Sequence, residues 1–308
     1  MHALTRRVFF NFLRMTGVPG LVRAFVQRNR VTVMMYHDLD PAKAELHLRA
    51  LQRRYNFISL SDYVLARRLG RDHQLPKRAA ILTFDDGHKN NIALLDVFKR
   101  LKIPATIFVC SGIVGTRRHF WFLEPMDIER KRELKRIPNN ERIAILAELG
   151  FHPEREFVER HALSAEEIAR MKGTIDIQAH TIFHPVLPTC ADAEAVREIA
   201  GSKRQLEEKY GLEIYAFAYP NGAYSDRDVE LTKQAGFACA VTTDHGFADE
   251  STDLWRLPRV AISDNGCVSE AIVAASGVWF HLRVSMQRFM SLRHGQHGRP
   301  TQVLRPHV

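Results

Sequence analysis

Cysteine is scarce in this sequence, with four residues among 308. Cys110, Cys190, Cys239 and Cys267 lie far apart, and none of them forms a Cys-x-x-Cys pair. This spacing excludes a cysteine-based structural zinc site and a dense disulfide framework. A reduced compartment fits the pattern best, while the number of cysteines still allows two disulfides.

Long apolar runs are also lacking, and none approaches the ~20 residues that a membrane-spanning helix needs. The apolar residues 8–10 are followed by Asn11 and Arg14, and then by the breaker Gly-Val-Pro-Gly at 17–20. A secretory signal needs an uninterrupted apolar core. We therefore expect no signal peptide and no transmembrane helix, and a cytoplasmic protein that is at most peripheral at the inner face of the membrane.

Acidic residues are missing before Asp38, although this part of the chain holds six arginines. The region 1–30 is therefore a basic segment, and its apolar residues give it an amphipathic pattern. Two interpretations have equal weight: the segment lies on an anionic membrane surface, or it packs on the protein's own surface. The tail at 277–308 is also basic, and here a solvated surface is the preferred interpretation. We expect no nucleic-acid partner.

Short apolar runs rich in β-branched residues predict seven buried strands, at 31–36, 79–84, 105–110, 175–179, 214–219, 238–242 and 259–262. Helical patterns lie between them, at 61–69, 91–101, 192–210 and 227–235, with a capping box at 164–167 opening another helix that Gly173 ends. Alternating strands and helices predict an α/β fold with parallel strands, closed as a distorted (β/α)7-type barrel.

The stretch 115–163 interrupts this alternation with an aromatic triplet and a charged run. It predicts a helical insertion between two strands, of the kind that overlies the active face of barrel enzymes. We assign residues 31–276 to one catalytic domain that includes this insertion.

Two adjacent carboxylates, Asp85 and Asp86, follow the strand at 79–84 and precede Gly87. Like charges this close raise each other's pKa, and a bound cation would remove the conflict for one of them while leaving the other as a base. Gly87 permits a sharp turn. An ordinary Asp-Asp-Gly turn after a strand explains the motif equally well when it is considered alone.

His180 and His184 follow the strand at 175–179, and Pro185 comes next. Two histidines four residues apart predict one helical turn with both rings on the same side, which suits a single metal ion. Together with Asp86 they make a set of three ligands with open positions, the arrangement of a catalytic rather than a structural metal.

These motifs resemble those of the polysaccharide deacetylase family, the group with the NodB homology domain (carbohydrate esterase family 4), over about residues 31–262. The resemblance implies Asp85 as catalytic base and Asp86, His180 and His184 as ligands of one divalent ion, with zinc the expected metal. The family's third motif, normally Arg-x-Pro-Tyr/Asn-Gly, is present as Ala-Tyr-Pro-Asn-Gly at 218–222. It implies a substrate-binding groove wall of Tyr219, Pro220, Asn221 and Gly222.

Two departures from the family pattern concern the base and the general acid. The third motif has Ala218 where the family has the arginine that pairs with the base, and Arg259 is a candidate substitute. The late motif that supplies the general acid is not evident after position 262. A Tyr-His pair ends the strand at 31–36, as in a branch of the family that includes poly-N-acetylglucosamine deacetylases, and this resemblance implies His37 as the acid. A surface histidine is the alternative.

The function implied is metal-dependent N-deacetylation of an N-acetylated sugar in a glycan or glycan precursor, with release of acetate, in a setting such as exopolysaccharide biosynthesis. Two alternatives remain open. One is a catalytically impaired member of the family that binds glycan or scaffolds glycan assembly. The other is a different amide hydrolase on the same fold.

Overall fold

A computed structural model describes residues 3–293 of the chain. Eight strands are present in this part: β1 Thr32–Tyr36, β2 Asn56–Phe57, β3 Ala79–Phe84, β4 Ala105–Val109, β5 Asp176–Ala179, β6 Ala216–Ala218, β7 Cys239–Val241 and β8 Val260–Ala261. Twelve α-helices lie in the same residues: α1 Ala3–Met15, α2 Val18–Phe25, α3 Pro41–Gln52, α4 Leu60–Arg68, α5 Leu95–Leu101, α6 Ile128–Leu134, α7 Asn139–Glu148, α8 Ala165–Met171, α9 Asp192–Tyr210, α10 Asp226–Gln234, α11 Val268–Ala275 and α12 Val278–Arg293.

The chain divides into two compact units. The first contains the residues up to Leu82, Thr243–Thr252 and the residues from Pro258 onward. Its strands follow the order β2-β3-β1-β8, and the parallel register places Asn56 beside Ala79 and Met34 beside Val260.

The second unit contains Thr83–Thr242 and Asp253–Leu257. Its strands follow the order β4-β5-β6-β7, and each pair between neighbours is parallel. Every residue of β4 is buried, as expected of a strand inside a parallel sheet. Strand β3 begins in the first unit and ends in the second.

Local capping signals set several helix ends where the sequence predicts them. Helix α9 spans the predicted residues 192–210 and stops at Gly211, whose φ of 60° places it in the left-handed region that favours glycine. The predicted capping box at the start of α8 is confirmed, because Ser164 and Glu167 bond to each other's backbone N–H.

Other expectations need correction. Helix α4 is capped by Ser59 and begins at Leu60, one residue before the predicted start. A 3-10 segment, Lys89–Leu94, replaces the first half of the helix predicted at 91–101. The sequence analysis also misses β2, α3 and α11.

The basic tail at 277–308 begins as helix α12, so its first part has a regular structure that its sequence pattern does not predict. The rest of the tail, 294–308, lies outside the described residues. In the described part of the chain, no helix combines the length and the apolar character that crossing a membrane requires. All four cysteines are free, and Cys110, Cys190 and Cys239 are buried.

Candidate metal centre

The turn after β3 places Asp86 in an unusual backbone conformation. Asp86 and Gly87 have φ of 70° and 72°, and the Gly87 N–H donates to the Asp85 carbonyl at 2.9 Å. A Cβ on residue 87 would lie 2.6 Å from Val109 Cγ1, so only glycine fits this position. The result is a tight turn in which both aspartates are 3% exposed.

His180 and His184 follow β5, but the segment that holds them is not helical. Thr181 and His184 have φ of 67° and 57°, in the left-handed region. The predicted helical turn is therefore wrong, although its consequence is right: the two imidazole centroids lie 4.9 Å apart. The Thr181 hydroxyl accepts the His184 N–H at 3.0 Å and closes the turn.

A buried carboxylate from α9 supports the same turn. Glu198 is 3% exposed, and its Oε2 accepts the backbone N–H groups of Ile182 and Phe183 at 2.8 and 2.9 Å. Burial raises the pKa of Glu198 to about 7. Two orphan donors in the middle of the histidine turn are thus satisfied by one side chain.

Asp86, His180 and His184 come together in the second unit as the sequence predicts. Their ligand atoms all lie within 4.8 Å of one another, and all three residues are buried. Asp86 Oδ1 lies 3.5 Å from His180 Nε2 and 3.3 Å from His184 Nε2. Among the described residues this oxygen has no hydrogen-bond partner, although it is buried.

The protonation states suit metal ligation. Burial alone would raise the pKa of Asp86, but its contacts with His180 and His88 outweigh burial and hold that pKa well below its usual value. Burial lowers the pKa of His184 to about 3. The carboxylate is therefore charged and the His184 imidazole neutral at neutral pH, which are the forms that bind a cation.

The orientation of His180 is fixed by the third-motif segment. Its Nδ1 lies 2.7 Å from the Ala218 carbonyl oxygen. Because a carbonyl only accepts, Nδ1 carries a proton, and Nε2 faces Asp86. Ala218, which stands where the family pattern has arginine, thus orients a candidate metal ligand through its backbone.

Residues of the stretch 115–163 also reach the centre. The Trp121 indole N–H donates to the His184 carbonyl at 2.9 Å, and the Phe122 ring lies 4.7 Å from the His184 ring. Trp121 is 2% exposed, so it supports the ligand turn from within the core.

The three side chains fit a divalent ion. One carboxylate oxygen and two imidazole nitrogens converge on a small buried space, and the unpartnered Asp86 Oδ1 lies between the two nitrogens. Such a set suits zinc and leaves coordination positions for water and substrate.

The third motif forms a 3-10 turn at Pro220–Gly222, in which Asn221 has a φ of 56°. Pro220 and Gly222 are buried. Tyr219 is fully buried, and its hydroxyl donates to the Trp255 carbonyl at 3.2 Å. The roles of Tyr219, Pro220, Asn221 and Gly222 in substrate binding remain predictions.

His37 and Arg259 belong to the first unit. His37 follows β1, and its backbone N–H donates to Asp264 Oδ1 at 3.2 Å. Arg259 is 1% exposed, and its backbone N–H donates to the Asp244 carbonyl at 2.9 Å. The roles of His37 as general acid and of Arg259 as partner of the base remain predictions.

Two residues near the centre escape the sequence analysis. His88 Nε2 lies 3.1 Å from Asp86 Oδ2, and its position two residues after Asp86 was the available signal. Glu198 gave no local signal, because it meets the histidine turn only through the packing of α9.

Comparisons with known proteins agree with these observations. Residues 72–240 match the family described as "Polysaccharide deacetylase". The Bacillus subtilis protein YxkH is 21% identical over 243 residues, which cover 76% of this chain and 72% of that protein. A Staphylococcus aureus poly-β-1,6-N-acetyl-D-glucosamine N-deacetylase is 22% identical over 210 residues, or 68% of this chain, and the match spans 62% of that enzyme's length.

Solved structures share the fold. The Streptococcus pyogenes deacetylase PplD, in complex with acetate, has a TM-score of 0.59 and 21% identity, with 80% of this chain and 98% of that chain covered. IcaB from Ammonifex degensii has a TM-score of 0.58 and 22% identity, with 81% and 97% covered. The predicted α/β class with a distorted (β/α)7-type barrel is confirmed by this likeness.

Proposed function

The chain belongs to the polysaccharide deacetylase family, whose members hydrolyse carbon–nitrogen bonds, and from that membership we propose that it is a metal-dependent N-deacetylase. The proposed reaction converts an N-acetylated sugar and water into a free amino sugar and acetate. The observation that carries the proposal is the convergence of Asp86, His180 and His184 around one unpartnered buried oxygen.

In this proposal the three side chains hold one divalent ion, and zinc is the metal that best suits their nitrogen and oxygen donors. A bound ion of this kind polarises a carbonyl oxygen and lowers the pKa of water. Asp86 and the two histidines take no proton in the reaction; their part is to hold and orient.

Asp85 is the proposed base and His37 the proposed acid. Asp85 takes a proton from water as the water oxygen bonds to the acetyl carbon, and His37 then protonates the departing nitrogen so that the carbon–nitrogen bond breaks. Arg259 is the proposed cationic partner of Asp85, in place of the arginine that Ala218 replaces.

The segment 219–222 is the proposed groove wall. Gly222 and Ala223 use their N–H groups within the turn, bonding to the Tyr219 and Pro220 carbonyls at 2.9 and 3.0 Å. Pro220 has no N–H, so the Asn221 N–H is the proposed donor to the oxygen that gains charge as the acetyl carbon becomes tetrahedral.

The proposed substrate is an N-acetylated glycan or a glycan precursor. The name of the Staphylococcus aureus relative, which acts on poly-β-1,6-N-acetyl-D-glucosamine, supports an N-acetylglucosamine unit and a role in exopolysaccharide biosynthesis. We propose a cytoplasmic location at the inner face of the membrane, because the arginines before Asp38 complement the anionic lipids of that leaflet. A carrier-linked or short oligosaccharide precursor suits this location.

Acetate release from a panel of N-acetylated oligosaccharides, with and without chelator, tests the proposal. Asp86→Asn should lose bound metal and activity together. His37→Ala should keep the metal and lose about 100-fold or more in turnover, because only proton transfer to nitrogen is removed. Asp96→Asn and His73→Ala change exposed residues of the same types and should behave as the unaltered protein.

The outcomes separate the alternatives. Full turnover in His37→Ala rejects the assigned acid. Glycan binding without bound metal or acetate release favours a non-catalytic binding or scaffolding member of the family. Bound metal with no acetate from any glycan favours another amide hydrolase on the same fold.

A further inference from the structure

We infer that helices α1 and α2 form a docking surface for an anionic phospholipid membrane. The inference concerns a surface of the first unit and does not depend on the deacetylase activity proposed for the second.

One face of α1 is anchored to the protein. The Arg6 guanidinium pairs with Glu270 on α11 at 2.5 Å. At the edge of the exposed face, Ser269 on the same helix donates to Asn11 at 2.6 Å. Phe10 is 1% exposed and packs edge-on against Trp279 of α12, with ring centroids 5.2 Å apart. This face holds α1 in a defined orientation.

The opposite face of α1 is apolar and exposed. Leu4, Val8, Phe12 and Met15 are 72, 61, 65 and 83% exposed. At 3.6 residues per turn these positions fall within about 80° of one another, on the side away from Phe10. Large apolar side chains exposed to this degree in a row are unusual on a soluble surface and indicate an interaction site.

Helix α2 also exposes apolar side chains. Val18, Leu21 and Phe25, at i, i+3 and i+7, are 43, 58 and 79% exposed, and Val26 at the end of the helix is 43% exposed. Pro19 is buried, which holds the start of α2 against the protein. We call the eight exposed side chains on the two helices the apolar stripe.

Charge identifies the occupant. The six arginines before Asp38 are accompanied by no acidic residue, and Arg7, Arg14 and Arg28 are exposed. An apolar stripe with a cationic border matches the boundary between the acyl chains and the head groups of an anionic bilayer. A second copy of the chain would bring the same positive charge to the contact, so charge complementarity favours lipid over self-association.

Co-sedimentation of the full chain with vesicles tests the inference. Vesicles containing about a third phosphatidylglycerol should bind the protein, pure phosphatidylcholine vesicles should bind it much less, and added salt should weaken the binding. The double variant Leu4→Ser, Leu21→Ser should lose about tenfold or more in partitioning, because two apolar side chains no longer leave water.

Matched controls come from the same unit. Leu65 and Leu69 are 57 and 53% exposed but lie on α4 and at its end, so Leu65→Ser with Leu69→Ser should leave partitioning unchanged. Arg7→Gln with Arg28→Gln should lower partitioning onto anionic vesicles about fivefold per arginine. The same substitutions at the exposed Arg53 and Arg71 should lower partitioning by less than that.

Three results would overturn the inference. The first is equal binding to both kinds of vesicle, and the second is an equal loss of partitioning in the stripe and control variants. The third is no vesicle binding together with self-association that Leu4→Ser, Leu21→Ser abolishes. The last result would assign the stripe to a second copy of the chain.

Discussion

The Glu198 carboxylate supports the histidine turn from helix α9. It accepts two N–H groups from inside the turn, while the Thr181 hydroxyl holds the end of it. Hydrogen-bonding partners outside the ligand set fix the direction of the ligands, and their loss commonly lowers metal affinity by about 10- to 100-fold.

We therefore expect Glu198→Ala to weaken metal binding by about that factor, because two buried donors lose their acceptor. Glu198→Gln keeps a side-chain oxygen at the same reach and should restore most of the affinity. Competition with a chromophoric chelator measures the dissociation constant. Glu208→Ala, an exposed change on the same helix, is the control; unchanged affinity in Glu198→Ala would contradict the positioning role.

The convergence of the candidate metal ligands was predictable because each follows a strand, where side chains of a parallel sheet gather. The conformation of the segment between His180 and His184 could not be predicted, since a spacing of four residues is equally compatible with a helix and with a turn that contains left-handed residues. Ala218 shows a second limit, because an orienting backbone carbonyl has no side-chain signature.

At the scale of elements, the capping box at the start of α8 also binds the side chain of an arginine that precedes the helix. Glu167 completes the capping box with Ser164 and also accepts from the Arg160 guanidinium at 2.9 Å. The hydrogen bond from Arg160 is the largest cause that lowers the pKa of Glu167.

Glu167→Gln should destabilise the fold at neutral pH by roughly 0.5 to 1 kcal/mol, the range of a partly exposed ion pair. The folded pKa is below the unfolded value of about 4.3, so the contribution is complete above that pH and disappears as the pH falls through the folded pKa. The difference in Tm between the two proteins should therefore shrink on acidification. A difference that stays constant from neutral to acidic pH, or an equal effect of exposed Glu154→Gln, would contradict this account.

The missed elements have separate causes. Helix α3 begins with Asp40 as cap and Pro41 at its first turn, a start signal that the sequence analysis did not use. All residues of α11 after Val268 are buried, so the helix has no exposed polar face and its sequence has no helical period to detect. Strand β2 has only two residues, too few for any alternation.

At the scale of the whole molecule, a bound metal should stabilise the fold. An ion that binds only the folded state at 100 times its dissociation constant adds about 2.7 kcal/mol, which corresponds to a rise in Tm of roughly 4 °C for a protein of 308 residues. Thermal unfolding with zinc and with chelator measures the shift. Asp86→Asn should abolish it and His37→Ala should retain it; a shift of equal size in Asp86→Asn would place the ion elsewhere.

The organisation into two compact units was not predicted, because it depends on which strands pair rather than on any linker. The catalytic domain at 31–276 remains a prediction, while the alternation of strands and helices sufficed for the fold class.

The anchoring of the histidine turn also has a kinetic consequence. Glu198 and Thr181 hold the backbone of this turn, and the Ala218 carbonyl holds the His180 ring, so in the proposed function the candidate ligands would need little rearrangement to take up an ion. Uptake of the ion would then be governed by the rate at which it sheds its own water, and not by the time the chain takes to find a competent arrangement.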